Sequence, residues 1–382
     1  MRISMLSAAL VAALVGYGST IALVLSAATA LGATPVQTAS WVFAIGMAKA
    51  GGSAFLSFQF RIPVVLAWST PGAALLAATT DVTMPEAVGA FLVAAGLIVL
   101  TGAFRPLGRL IAQIPDGVAA AMLAGVLLPF CLKAASSAQA LPALVLPMIA
   151  VFLLVRLKNP ALAVLAALAT GLILAFATGA APLPPLSLPL PTLTFIPPAF
   201  RLDVLLGIGV PLYLVTMASQ NLPGFATLRA AGYEPPVAAA LITTGGISAL
   251  AGLFGAHTVN MAAITASICL AEDTHPDRSQ RWKVGVIYGG FWVVMALLGP
   301  VILPILAALP PALMLALVAL ALLSPLMGAL TAAFTPPQTR FAATVTLTTA
   351  ASGVAAFGVG AAFWGLLAGL AVHALERLKK NP

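Results

Sequence analysis

The stretch Arg61-Ile-Pro-Val-Val-Leu-Ala-Trp68-Ser69-Thr70-Pro71-Gly72 interrupts an apolar chain where a plain helix would run on. Residues 62–67 are β-branched or apolar around a proline, so they read as extended backbone. Ser69-Thr70-Pro71 then reads as a helix start, with a hydroxyl cap and proline at the first helical position. Gly72 allows close backbone approach. A helix that begins inside a membrane turns free N–H groups and a positive dipole end into the protein, which suits an anion. The competing reading, a kink or a loop at the membrane surface, draws on the nearness of Arg61.

The rest of the chain supplies the membrane setting. Of 382 residues, 62% are hydrophobic and 7% charged, whereas a soluble domain needs about 25% charged residues to wet its surface. A soluble enzyme, a nucleic-acid binder and a disordered protein are excluded on that ground. The net charge of +8 points to cytoplasmic loops, where Lys and Arg of membrane proteins gather. Cys131 and Cys269 lie in apolar runs and make neither metal spacing nor a disulfide framework. His257, His275 and His373 are scattered, so neither a metal nor a cofactor is expected.

A spanning helix takes about 20 apolar residues. Punctuation by Pro, Gly and charge divides the chain into spans near 4–31, 35–58, 62–80, 85–104, 114–132, 141–157 and 160–179. A linker with seven prolines follows from Pro182 to Pro198. The second set runs near 202–221, 235–253, 256–271, 281–304, 310–333, 340–354 and 357–377. The first run reads as a transmembrane helix rather than a signal peptide, because it is long and no polar domain follows it. The fold class expected is therefore an all-α polytopic membrane protein with 14 transmembrane segments, seven on each side of a linker.

The halves repeat. At an offset of 200, Gly32 falls on Gly232, Pro35 on Pro235, Gly46 on Gly246 and Gly52 on Gly252. The offset drifts to 195 further on, where Ile114-Pro115 meets Leu309-Pro310. Seven spans per repeat turn the second repeat upside down, the arrangement found in secondary transporters. With both termini cytoplasmic, 14 Lys and Arg fall inside, Arg105 and Arg109 among them, while only Lys133 and Arg201 fall outside. That bias satisfies the positive-inside rule.

Four further features carry candidate chemistry. Gly255-Ala-His257-Thr258-Val259-Asn260-Met261-Ala-Ala-Ile-Thr265 occupies the matching place in the second half. Thr258 and Val259 read as extended and Asn260 as the cap of a second half-helix; two interrupted spans at corresponding positions point to a transport site. His257 is either a proton carrier or a satisfied histidine near the extracellular mouth. In Ser219-Gln220-Asn221-Leu-Pro-Gly224, a Gln-Asn pair is costly in lipid, so it either bonds a substrate or caps its helix. Tyr17, between Gly16 and Gly18, reads as close packing with a polar tip, at the site or in simple helix packing. Lys49 lies within a span, paired with a substrate carboxylate or a helix end, or snorkelling. No Asp or Glu lies in mid-span, so any proton coupling falls to His257, Lys49 or the substrate's own carboxyl group.

Trp68-Ser-Thr-Pro-Gly-Ala-Ala74, Gln220-Asn-Leu-Pro-Gly224, Gly255–Ala266 and Glu272-Asp-Thr-His-Pro-Asp277 resemble the bacterial benzoate:proton symporter family, BenE. The resemblance spans most of the chain. It implies the fold shared by uracil permeases and sulfate permeases, with two inverted repeats of seven helices. It further implies that the third and tenth segments are half-helices preceded by short strands, with substrate between them. Residues 1–104 and 201–304 would form a core domain, 105–180 and 305–382 a gate domain, and 181–200 the linker. In nucleobase members an eighth-helix glutamate contacts the base; Gln220 and Asn221 stand there in this chain, which suits a carboxylate better.

The expectation is then a transporter of the bacterial cytoplasmic membrane that imports benzoate, or a related aromatic carboxylate, with a proton. Ser69, Thr70, Pro71, Gly72, Asn260 and Met261 would hold the carboxylate, helped by Gln220, Asn221 and Tyr17. The ring would lie on Trp68 or Phe43, and relatives of this fold are often dimers. The alternative is another anion or a nucleobase on the same fold. An intramembrane enzyme lacks a nucleophile, metal cluster or paired carboxylates in its spans. A channel fits inverted repeats around a neutral site less well than alternating access does.

Overall fold

The computed structural model describes residues 2–104, 106, 114–160, 162–184, 190–354, 356 and 359–380. Arg105, Arg109 and residues 185–189 of the Pro-rich linker lie outside the described residues. In chain order the helices are α1 (Ile3–Gly18), α2 (Ile21–Ala30), α3 (Pro35–Phe60), α4 (Thr70–Ala77), α5 (Met84–Ala103), α6 (Asp116–Ala140), α7 (Pro142–Lys158) and α8 (Ala163–Ala177). After the linker come α9 (Leu202–Ala230), α10 (Val237–Gly252), α11 (Ile264–Leu270), α12 (Trp282–Leu297), α13 (Gly299–Ala307), α14 (Pro311–Phe334), α15 (Arg340–Ala351) and α16 (Ala361–Lys380). Seven helical runs among the described residues are long and apolar enough to cross a membrane, or eight if the bent α12–α13 pair is one span. The protein is a helical, multi-pass membrane protein.

Local chemistry sets the ends. Thr34 and Gln37 form a capping box before Pro35, so α3 starts cleanly. The first apolar run breaks at Ser19-Thr20 into α1 and α2. The eleventh predicted span bends by 58° between Leu297 and Gly299, where Pro300 removes a backbone donor. Gly32 and Gly232, paired by the sequence repeat, both adopt left-handed backbone, at φ 66° and 78°. Each ends a turn that a side-chain Cβ would strain.

Two strands, β1 (Leu66–Trp68) and β2 (Val259–Met261), pair antiparallel. The register sets Leu66 against Met261, Ala67 against Asn260 and Trp68 against Val259. Sheet edges inside a membrane leave backbone groups that water cannot reach. Side chains from the surrounding helices take them. Leu66 N–H donates to Ser53 Oγ (3.0 Å), and Tyr288 Oη donates to Leu66 C=O (2.9 Å). Val64 N–H donates to Ser57 Oγ (3.0 Å), which returns a bond to Val64 C=O. On the other edge Val259 N–H donates to Ser248 Oγ (2.8 Å) and Met261 N–H to Asn221 Oδ1 (2.9 Å). Ser53 and Ser248 stand 195 residues apart, so the repeat extends to the sheet's supports.

Helix packing divides into two groups. Helix α3 packs on α12, α5 on α10, and α1 on α11 and α12. Separately, α6 packs on α14 and α15, α15 on α16, and α7 on α8. The α3–α12 seam is made of small residues: a Cβ on Gly289 would sit 2.6 Å from Ala50 C=O, and one on Gly46 2.9 Å from Ala296 Cβ. Small residues let helices approach closely within a membrane. That approach brings Trp292 of α12 over Lys49 of α3.

Candidate functional site

A cavity of about 780 Å³ lies where the two helix groups meet, within the size range of ligand pockets. Gly16 of α1 lines it with Ser19 and Thr20 of the α1–α2 break and with Trp68, Thr70 and Pro71 from β1 and α4. Ser219, Gln220 and Pro223 come from α9, Ile264 and Thr265 from α11, and Tyr288 from α12. The facing wall is Asp116, Ala119, Met122 and Leu123 of α6, with Ser324, Pro325 and Gly328 of α14. Among the described lining residues Lys49 is the one basic side chain and Asp116 the one acidic side chain. Asp116, Leu222, Gly328 and Ala332 are exposed and mark its mouth.

Lys49 is the unusual residue. It is fully buried, and its Nζ has no hydrogen-bond acceptor. It sits in the cavity wall with Nζ 3.0 Å from the centroid of the Trp292 ring and 4.3 Å from that of Trp68. Indole faces attract a cation, by about 2 kcal/mol when desolvated, but they accept no ordinary hydrogen bond. Tyr17 packs on both rings, with centroids 5.8 Å away in each case, and its buried hydroxyl also lacks a partner.

Helix α4 begins as its sequence suggests: Ser69 caps it, accepting from Gly72 N–H (3.1 Å), and Pro71 occupies the first turn. Ser69 Oγ also accepts from Thr216 Oγ1 (3.1 Å). Thr70 faces the cavity and shares a hydrogen bond with Thr20 (3.0 Å). Asn260 does not cap the second short helix. It lies within β2, and α11 starts after Ala263 with no side-chain cap. With its amide assigned to satisfy both ends, Asn260 accepts from Ser69 N–H (3.0 Å) and donates to Met261 C=O (2.9 Å). It joins the two interrupted segments rather than facing the cavity.

Of the residues singled out from sequence, Lys49, Trp68, Thr70, Pro71 and Gln220 line the cavity. Ser69, Gly72, Asn221, Asn260, Met261, Tyr17, Phe43 and His257 stand outside its lining. A wide π turn over Met217–Asn221 explains the split between neighbours. Gln220 faces the cavity, whereas Asn221 points back to the sheet, accepting from Met261 and donating to Met217 Sδ (3.3 Å).

His257 is bonded at both nitrogens. Trp41 Nε1–H donates to its Nδ1 (3.0 Å), and its Nε2 lies 3.1 Å from Ser69 C=O. An indole N–H only donates, so Nδ1 is the acceptor, the proton rests on Nε2, and Nε2 donates to Ser69. The ring is a strut between α3 and the start of α4. Sequence reasoning missed Ser19, Thr20, Thr265, Tyr288 and Trp292. The Gly18-Ser19-Thr20 interruption of an apolar run was the signal for the first two; Trp292 gave none, because an aromatic in an apolar helix is ordinary.

A cavity between packed helices, lined by interrupted segments and a buried lysine, is the kind of site that membrane transporters carry. Solved structures share the fold. The transmembrane domain of the cyanobacterial bicarbonate transporter BicA matches with a TM-score of 0.59 at 16% identity, covering 98% of each chain. The murine anion transporter Slc26a9 in its inward-facing state matches at 0.61 and 12% identity, over 100% of this chain and 69% of that one. Residues 1–375 match the family BenE, benzoate membrane transport protein. The chain is 40% identical to the inner membrane protein YdcO of Escherichia coli over 365 residues, 95% of this chain and 93% of that protein. It is 32% identical to the benzoate membrane transport protein of Acinetobacter baylyi over 367 residues, 96% of this chain and 93% of that one. The chain therefore belongs to the BenE family of membrane transport proteins.

Proposed function

We propose that this protein is a secondary transporter of the inner membrane that imports benzoate, or a closely related aromatic carboxylate, together with a proton. One observation carries the reading: the cavity wall is largely apolar, holds a buried lysine amine without a hydrogen-bond partner, and among its described lining residues offers an acidic side chain only at its mouth. Such a site favours a monoanion with an aromatic body. Thr20, Thr70, Gln220 and Thr265 supply polar contacts around the carboxylate, Trp68 and Tyr288 a surface for the ring, and Ser69 and Gly72 shape the start of α4. Asn221, Asn260, Met261 and Tyr17 act behind this surface by holding the sheet and the indoles in place.

In this reading the chain makes 14 spans in two inverted repeats, with both termini cytoplasmic. Helices α1–α5 and α9–α13 form the core domain, and α6–α8 with α14–α16 the gate domain. The two packing groups support that division. The cavity mouth, at Asp116 and Ala332, then opens to the cytoplasm, and rocking of core against gate exposes the site to the other side. The test is uptake of radiolabelled benzoate into proteoliposomes with and without an inward proton gradient. Accumulation that follows the gradient and is competed by aromatic acids supports the reading. Absence of benzoate uptake by folded protein, or uptake competed by uracil, overturns it.

A further inference from the structure

Import together with a proton requires a group that carries the proton across. We propose that Lys49 carries it, as a neutral amine in the empty site and as the ammonium partner of the substrate carboxylate in the filled one. The inference rests on the benzoate reading above.

Lys49 Nζ lies against aromatic rings. Trp68 of β1 and Trp292 of α12 cover it with ring faces. The ionisable groups around those rings are the Tyr17 phenol of α1 and the Tyr288 phenol of α12. The His257 ring lies within electrostatic reach. No carboxylate pairs with Lys49 among the described residues; the two ion pairs found there, Arg201–Glu86 and Arg201–Asp203, lie at the surface. An ammonium shut away from water without an acceptor is strongly disfavoured, whereas a neutral amine is tolerated. A carboxylate entering the cavity beside Trp68 changes the balance, because it accepts a charge-assisted hydrogen bond. The flexible four-carbon stem lets Nζ leave the indole faces and reach it.

His257 is ill placed for the same task. Its Nδ1 is occupied by the Trp41 indole and its Nε2 by Ser69 C=O, so a second ring proton would have to displace the Trp41 donor. Asp116 is exposed at the mouth of the cavity rather than buried in its wall.

The resulting cycle balances charge. A proton from the outer water binds Lys49 Nζ as the carboxylate enters. The loaded site holds an ammonium–carboxylate pair with no net charge. On the inner side carboxylate and proton both leave to water, and the empty carrier returns with a neutral amine. Neither the loaded nor the empty form carries net charge at the site, so the coupling is one proton per carboxylate and electroneutral. An empty carrier trapped as the ammonium would keep an unpaired charge through the return step, which is the physical reason that substrate and proton travel together.

The experiment uses the full-length protein. In weakly buffered detergent solution near neutral pH, benzoate binding to the wild type removes about one proton from solution per anion bound, read with a pH dye. Lys49→Arg keeps a permanent cation. It goes on exchanging internal for external benzoate in proteoliposomes, while net gradient-driven uptake falls to background. Lys49→Met loses about 100-fold in benzoate affinity, as when one partner of a buried charge pair is removed. Benzoate binding by the wild type without proton uptake overturns the inference, and so does full gradient-driven uptake by Lys49→Arg. Should either variant fail to fold, Lys49→Gln takes its place, and benzoate binding by it with the wild-type proton count overturns the inference. Failure of the wild type to bind benzoate at all overturns the substrate reading and this inference with it, a result distinct from binding without a proton.

Discussion

Replacing His257 separates its strut role from proton carriage. The buried ring satisfies two groups, the Trp41 indole N–H at 3.0 Å and Ser69 C=O at 3.1 Å. His257→Asn retains an acceptor near the Nδ1 position and orphans Ser69 C=O; His257→Gln retains a donor near Nε2 and orphans the indole. Each orphan costs about 1–3 kcal/mol. His257→Leu orphans both, so it should cost about 2–6 kcal/mol by the same scale. Stability to denaturant, followed by tryptophan fluorescence in micelles, should therefore rank wild type above Asn and Gln, with Leu lowest. Adding Trp41→Phe to His257→Gln removes the orphaned donor and should restore about 1 kcal/mol. Transport by whichever variants remain folded should keep its dependence on the proton gradient. A leucine variant as stable as wild type that exchanges benzoate but no longer responds to the gradient would refute the strut and make His257 the carrier.

Two further outcomes follow from the geometry. Gln220→Ala should lower benzoate uptake with little loss of stability, because its side chain faces the cavity. Its neighbour Asn221→Ala should instead destabilise by about 1–3 kcal/mol, by orphaning Met261 N–H; uptake and denaturation measured side by side check the contrast. Gly289→Leu should pry α12 from α3, since a Cβ there already meets Ala50 C=O at 2.6 Å. Overpacking of this kind costs about 1–3 kcal/mol, and retained wild-type stability would argue against the close seam.

Much of the site's frame was legible because interruptions inside an apolar chain must be written in a few residue types. Pro63, Ser69, Pro71 and Gly72 announced β1 and α4, and Gly32 and Gly232 announced the repeat through a backbone conformation that glycine enters freely. Asn260 misled. A capping side chain and a strand residue that ties two segments together call for the same short amide, and only the pairing register tells them apart. Ser53 and Ser248 gave no signal, because a serine on a helix bonds its own preceding turn as readily as a distant strand. The gate-side wall was illegible for a different reason: Ala119, Met122 and Gly328 are what any packed membrane helix would carry, and only their position makes them part of a cavity.

A two-stranded sheet can belong to a moving part if its edges are bonded within that part. Every sheet-edge bond described above runs to α3, α9, α10 or α12, all helices of the proposed core. The strands and the Ser69 cap are thus hydrogen-bonded into that group, and the indoles over Lys49 pack within it. Across the cavity, α6 presents Ala119, Met122 and Leu123, while Ser324 of α14 takes its bond from Arg156 of α7 (2.5 Å), within its own group. Apolar faces can slide past one another without orphaning a polar group, whereas breaking the sheet's supports would cost about 1–3 kcal/mol for each buried group left unpaired. If core and gate move as proposed, the parting plane should run along the apolar side of the cavity, and the anion site should travel whole with the strands.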